Sequence, residues 1–310
     1  MALATARTAD YARLTAVPAI WGGTFVAGKH VVAVLSPMMG SFSRYVIACV
    51  ALLVAALVLE GGLPRLSRSQ WLATMVLGSV GVFAYNLFFM ASLERLPGSR
   101  AALIIALNPV ITITISAVVL KEHLSARRWV GVAIALFGVW IVISRGDIAN
   151  IAGAGIGAGE LFMFGAVTSW ALYTIIGRKV LGGLTPLAAT NYAALWGTLL
   201  LTCVTTPELS SLTMAQFDWS MIGALLYLGI CGTALAFVWY YMSVKKLGTA
   251  VTSVFNNLVP VFGVLISVVL LGEHLLASML VGGAIAIVGV MMVSRPGAAS
   301  GASGAGHQKS

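Results

Sequence analysis

Eight residues set inside apolar stretches carry most of the chemistry this 310-residue chain can offer: Trp21, Tyr85, Asn86, Asn108, Trp170, Tyr173, Asn256 and Asn257. Asn108 precedes Pro109, and Asn256 and Asn257 stand just before Pro260. Proline lacks an N–H and crowds the preceding turn, so each of these sites frees a backbone carbonyl beside an amide side chain. Such groups can hold a small polar solute, and on this reading the eight residues are candidate substrate contacts. The other reading is structural, with kinked helices and asparagines bonded to their neighbours. Trp and Tyr usually sit at membrane interfaces. Rings at mid-helix depth therefore need a polar partner, either a wet cavity or an interhelical bond. Lys29 and Arg178 lie a turn or two inside helix ends, where a long basic side chain can snorkel outward or act as a gate. With Pro109 and Pro260 they form the candidate gating or hinge set.

Catalytic and metal chemistry have no such foothold. The histidines are His30, His123, His274 and His307, and none has a ligand partner at helical spacing. No HExxH, Gly-x-Ser-x-Gly or paired mid-span aspartates occur, so an intramembrane enzyme is the weak alternative and no cofactor or metal is expected. Cys49, Cys203 and Cys231 have no metal-ligand spacing. The chain has no GxxxxGK[ST] loop, and its glycine run from Gly153 to Gly159 follows no strand, so direct use of ATP is not expected.

The elements that must position these residues follow from composition. Apolar residues make up 60% and charged ones 9%, with mean hydropathy +1.00, whereas a soluble domain needs about 25% charged residues. Lipid is the solvent. The basic residues sit in short loops between apolar runs, so the pI near 9.8 does not point to nucleic acid. A span needs about 20 apolar residues. That length fits at about 14–35, 41–59, 71–93, 99–120, 128–144, 159–180, 186–205, 218–243, 249–271 and 277–293. The expected fold is an all-α integral membrane protein of ten helices. With the N-terminus inside, 13 of the 18 Lys and Arg residues fall on the cytoplasmic side, leaving Lys29, Arg44, Arg95, Arg100 and Arg145 outside. That bias puts both termini in the cytoplasm.

The chain also repeats itself. Pro109 and Glu122-His123 recur 151 residues later as Pro260 and Glu273-His274, as do Gly131 and Gly138 as Gly282 and Gly289. Trp21 and Gly28-Lys29 recur 149 residues later as Trp170 and Gly177-Arg178. The expected units are residues 1–148, 149–294 and a disordered cytoplasmic tail, 295–310. Five helices per half is an odd number, so the second half enters from the opposite side. Inverted repeats of this kind are how secondary transporters exchange inward-open and outward-open states. The Glu-His pairs close helices at loop positions, where capping is the expected role.

At Trp21-Gly-Gly-Thr-Phe-Val-Ala-Gly-Lys29, Ser169-Trp170-Ala-Leu-Tyr173 and the two Pro…Glu-His stretches, the chain resembles the ten-helix EamA-type branch of the drug/metabolite transporter superfamily. The resemblance covers about residues 14–294 and is nearest to bacterial amino-acid and metabolite exporters. It implies export of amino acids or similar small metabolites across a bacterial inner membrane, with a small-molecule substrate and membrane lipids as partners. Proton-coupled carriers commonly hold a carboxylate at mid-membrane. Asp and Glu total nine here and all fall near helix ends, which favours uniport-like movement over the alternative of broad drug efflux by proton antiport.

Overall fold

In hydrocarbon, an apolar run can satisfy its own backbone only as a helix. The computed structural model describes residues 2–119, 121, 124–145, 156–180, 183–247 and 249–294, and no strand occurs among them. The chain crosses back and forth as α1 (Ala2–Val32), α2 (Pro37–Glu60), α3 (Arg68–Arg95), α4 (Gly98–Val119), α5 (Ala126–Ile143), α6 (Ala158–Val180), α7 (Pro186–Thr205), α8 (the consecutive stretches Trp219–Leu226, Tyr227–Leu235 and Ala236–Leu247), α9 (Thr249–Asn256 and Val259–Leu271) and α10 (Ala277–Ser294). Eight of these are long and apolar enough to span a membrane. Of the other two, α1 is made less apolar by its Trp-Gly-Gly-Thr stretch and by Lys29 and His30, and α9 is broken in the middle. Side chains such as Val58, 77% exposed, and Val269, 76% exposed, point outward. They form an apolar girdle suited to lipid.

Helix α1 runs back to Ala2, well before the expected start near residue 14. Asp10 holds that extension by pairing with Arg13 one turn on and with Lys246 of α8 at 2.9 Å. The first Glu-His pair (Glu122-His123), most of the glycine-rich joint (146–155) and the tail (295–310) lie outside the described residues.

The two halves pack as each other's image. Helix α1 lies on the second stretch of α9, as α6 lies on the second stretch of α4; α3 meets α6 as α8 meets α1; α2 faces α7, and α5 crosses α10. Polar contacts show the opposed directions. At one end of the bundle, Arg100 at the start of α4 pairs at 2.9 Å with Glu160 at the start of α6 and donates to Ile143 O at the end of α5. At the same end Ser36, which caps α2, bonds Glu208 just past α7, and His30 meets Ser220 at the start of α8. At the other end Thr185, which caps α7, donates to Glu60 at the end of α2. The start of α6 therefore shares an end with the finish of α1, and the repeat is inverted.

Irregularities repeat too. Wide π turns occupy Gly78–Ala84 in α3 and Tyr227–Leu235 in α8, starting 149 residues apart like Trp21 and Trp170. The breaks in α4 and α9 carry matching bonds: Leu107 N to Ile104 O and Ile111 N to Leu107 O, then Leu258 N to Phe255 O and Phe262 N to Leu258 O. Pro109 and Pro260 each fall in the first turn of the second stretch. There a missing N–H costs nothing within that stretch. The repeated glycines meet at the α5/α10 crossing. A Cβ on Gly138 would lie 2.3 Å from Ala286 N, and one on Gly289 would lie 2.4 Å from Ala135 N. Backbone rests on backbone, as at small-residue crossings generally. Replacing Gly138 with Val should therefore cost about 1–3 kcal/mol, read as a lower midpoint of thermal unfolding in detergent. The control Gly223→Ala, where a Cβ meets nothing within 4 Å, should leave that midpoint unchanged or higher.

Candidate functional site

Trp170 is the hub of an aromatic cluster drawn from both halves. Its place in α6, 12 residues after Ala158, puts it about 18 Å from the helix start. Its ring centre lies 5.4 Å from Tyr85 of α3, 5.6 Å from Tyr173, 6.0 Å from Phe237 of α8 and 6.5 Å from Trp21 of α1. Trp21 also meets Phe237 at 5.8 Å and Tyr240 at 5.7 Å. These are the separations of interacting aromatic pairs. Polar bonds hold the rings in place. Trp21 Nε1 donates to Gly232 O at 3.0 Å, and the Tyr227 hydroxyl donates to Ile20 O at 2.8 Å. Both acceptor and donor on α8 belong to its π turn, which widens the helix and turns its groups out of α-helical register.

A cavity of about 10 Å³ opens among Tyr45, Trp170, Tyr173, Thr233 and Phe237. That is the room of a single water, so the cage is tight. Gly81, in the π turn of α3, is part of the wall. A Cβ there would lie 2.1 Å from Tyr173 Cδ2, so the ring fills space that only glycine leaves.

Behind Thr233 stands a buried charge. Arg44 is 6% exposed and sits seven residues into α2, about 10 Å from its start. Its Nη1 donates to Asn86 Oδ1 at 3.0 Å, while Nε and Nη2 both reach Thr233 Oγ1, at 3.3 and 3.2 Å. Thr233 in turn donates to Leu228 O at 2.9 Å, and Asn86 Nδ2 donates to Val82 O at 2.7 Å. Among the described residues no carboxylate forms an ion pair with Arg44. The expectation that Arg44 belongs to the outside charges is corrected here. Its helix carries it inward, and neutral oxygens receive it.

Of the residues expected from the sequence, Trp21, Tyr85, Trp170 and Tyr173 come together in the aromatic cluster; Trp170 and Tyr173 line the cavity, whereas Trp21 and Tyr85 pack against Trp170 without lining it. Asn86 lies a layer behind them, on Arg44. Asn108, Asn256 and Asn257 do not line the cavity; they stand at the two helix breaks, and Asn108 Oδ1 is buried without a hydrogen-bond partner. Pro109 and Pro260 start the stretches that follow those breaks. Lys29 Nζ donates to Leu93 O and Leu96 O at 2.7 and 2.9 Å, closing the end of α3 as a basic C-terminal cap does. Arg178 falls in α6, but its side chain lies outside the described residues. Glu273 caps α4, accepting from Gly98 N at 2.7 Å and Ser99 N at 2.9 Å.

Sequence reasoning missed Phe237, Tyr240, Tyr241, Thr233 and Arg44. The three rings were legible, since positions 237, 240 and 241 share a helix face. Arg44 had a subtler sign. The repeat that matches Pro37 to Pro186 sets Ala193 against it, so this charge occurs in one half only.

The EamA-like transporter family matches residues 13–144 and again 157–295. The chain belongs to that family. Its two matched segments coincide with the inverted halves. Among similar proteins, the uncharacterized transporter YyaM of Bacillus subtilis is 29% identical over 88% of this chain and 89% of its own length. An uncharacterized transporter of Archaeoglobus fulgidus is 30% identical over 89% and 95%. A Streptantibioticus cattleyicolor protein named "probable terminal-alkyne amino-acid exporter" is 28% identical over 82% and 83%. A solved crystal structure superposes with a TM-score of 0.65 at 20% identity, covering 93% of this chain and 97% of its own, and so shares the fold. The EamA-type fold thus frames an aromatic cavity at the join of its halves. Gly81→Ala should drive Tyr173 from its seat and cost about 1–3 kcal/mol of stability. Adding Tyr173→Ala should make the double variant less destabilised than the sum of the two single changes, as measured by thermal unfolding in detergent.

Proposed function

We propose that this protein exports amino acids or similar small metabolites across a bacterial inner membrane by alternating access, moving them downhill in uniport fashion. The observation that carries this reading is the small aromatic cavity at the join of two inverted halves. Inverted halves can tilt against each other around a fixed central site. The cavity wall holds rings, hydroxyls and backbone, and no carboxylate among the described residues lines it. A zwitterion, with little net charge, suits rings and dipoles, and an ammonium group is drawn to aromatic faces. The name of the Streptantibioticus relative supports amino acids as the class. In this reading residues 1–148 and 149–294 are the moving units and the tail 295–310 is cytoplasmic. Trp21, Tyr85, Trp170 and Tyr173 contact substrate. The polar breaks at Asn108-Pro109 and Asn256-Asn257 are hinges, with Asn86 backing the cavity wall. Lys29 and Arg178 act at opposite ends as gates.

Uniport suits the groups that line the cavity, since hydroxyls, phenols and backbone amides do not ionise near neutrality. Purified protein in liposomes should exchange labelled amino acids from a mixed panel without any imposed gradient, at a rate nearly flat from about pH 6 to 8. Uphill accumulation driven by a proton gradient would refute the uniport reading, and an inert panel would refute the substrate class. A reporter fused after Ser294 should behave as cytoplasmic, and one inserted near residue 150 as periplasmic; the opposite pattern overturns the assigned orientation.

A further inference from the structure

The geometry points to Arg44 as the receptor for a carboxylate of the transported molecule, reached from the aromatic cavity through the position now held by the Thr233 hydroxyl. This deepens the amino-acid reading above and rests on it for the physiological substrate. Three observations carry it. The first is the imbalance of charge. A guanidinium buried this deeply is costly unless paired, yet among the described residues Arg44 has an amide oxygen, a hydroxyl and the face of Tyr45, whose ring centre is 5.6 Å from Cζ, and no carboxylate in an ion pair. By contrast Arg100, also 6% exposed, has Glu160 at 2.9 Å.

The second observation is the direction of the fork. Nε and Nη2 form the edge of a guanidinium that matches the two oxygens of a carboxylate, one bond to each. Here both prongs share the single oxygen of Thr233, at the long distances of 3.3 and 3.2 Å. Thr233 is itself in the cavity wall. One neutral oxygen thus stands where a carboxylate would offer two charged ones, between the cation and the space a solute would fill. Asn86 fixes the opposite prong, with its own amide tied to Val82 O. The fork is aimed before anything binds.

The third observation is the lack of a symmetry mate. The π turns, the helix breaks and the α5/α10 glycine contacts come in pairs across the halves. Arg44 does not; the same 149-residue offset leads to Ala193, which lines the cavity. With the carboxylate on Arg44, the rest of the molecule lies against Trp170, Tyr173 and Phe237, where an ammonium group or an apolar side chain meets ring faces.

The test uses the full-length protein in detergent and three probes of one shape: phenylalanine, phenylacetate and phenylethylamine, followed by quenching of tryptophan fluorescence. The wild type should bind the two carboxylates at least roughly tenfold more tightly than the amine. Arg44→Gln should erase that preference, and Arg44→Lys, which keeps the charge and loses the fork, should fall between. If Arg44→Gln fails to fold, the wild-type preference and its reduction in Arg44→Lys decide the matter. Equal affinity for the amine, no binding of either carboxylate, or an unchanged preference in the variants overturns the assignment. Amino-acid flux in liposomes that is indifferent to the carboxylate would remove this site while leaving the proposed function standing. Carboxylate binding that depends on Arg44, without amino-acid flux, would do the reverse.

Discussion

Hydrocarbon accepts and donates no hydrogen bonds, so each polar group below the membrane surface must find its partner inside the protein. That constraint explains features that look unrelated. Lys29 turns to the open carbonyls at the end of α3, and Glu273 to the open amides at the start of α4. Threonines throughout the spans donate back to carbonyls four residues earlier, as Thr112 does to Asn108 O and Thr198 to Ala194 O. Where the backbone departs from α-helix, another element answers it. The π turn of α8 presents Gly232 O, and the indole of Trp21 takes it. Arg44 is the severest case, since its charge needs more than neutral oxygens can supply.

The scaffold is symmetric and the site is not. Duplication supplies two π turns, two broken helices and two indoles facing each other near the centre. Such pairing makes a shape that can open at either end. Selectivity needs something else, because a solute has a head and a tail. The single-copy groups Arg44, Asn86 and Thr233 lie to one side of the cavity, while Phe237, Tyr240 and Tyr241 extend the rings on another. A polar pole and an aromatic pole within one cage would give a bound molecule a fixed orientation.

Much of this fold was written in apolar run length, loop charge and the repeat. Trp21, Tyr85, Trp170 and Tyr173 were legible because rings at mid-helix depth are unusual and two of them recur at a fixed spacing. The asparagines beside Pro109 and Pro260 were also conspicuous, but they mark where helices restart and do not reach the aromatic cavity. Spacing reports that a helix is interrupted; it does not report which way the interruption faces. Arg44 was hidden for a related reason. Assigning each basic residue to its nearest loop treats a helix end as a surface, whereas seven residues of helix carry this one well inside. Thr233 is similarly invisible, because only the extra residue of a π turn sets its hydroxyl toward the guanidinium.

The crossing of α5 and α10 has a mechanical consequence. Interlocked side chains resist sliding because rotamers must unlock, whereas Gly138 and Gly289 bring bare backbone against backbone, with side-chain packing confined to the flanks, as where Ile141 and Val142 meet Gly282. The two helices are joined over their length by close contact and stand apart from the aromatic cavity. They resemble a bearing, smooth where the surfaces touch and fixed in its distance from the load. A chain built this way can concentrate its flexing in the broken helices, while its last helix and its fifth keep the two halves from drifting apart.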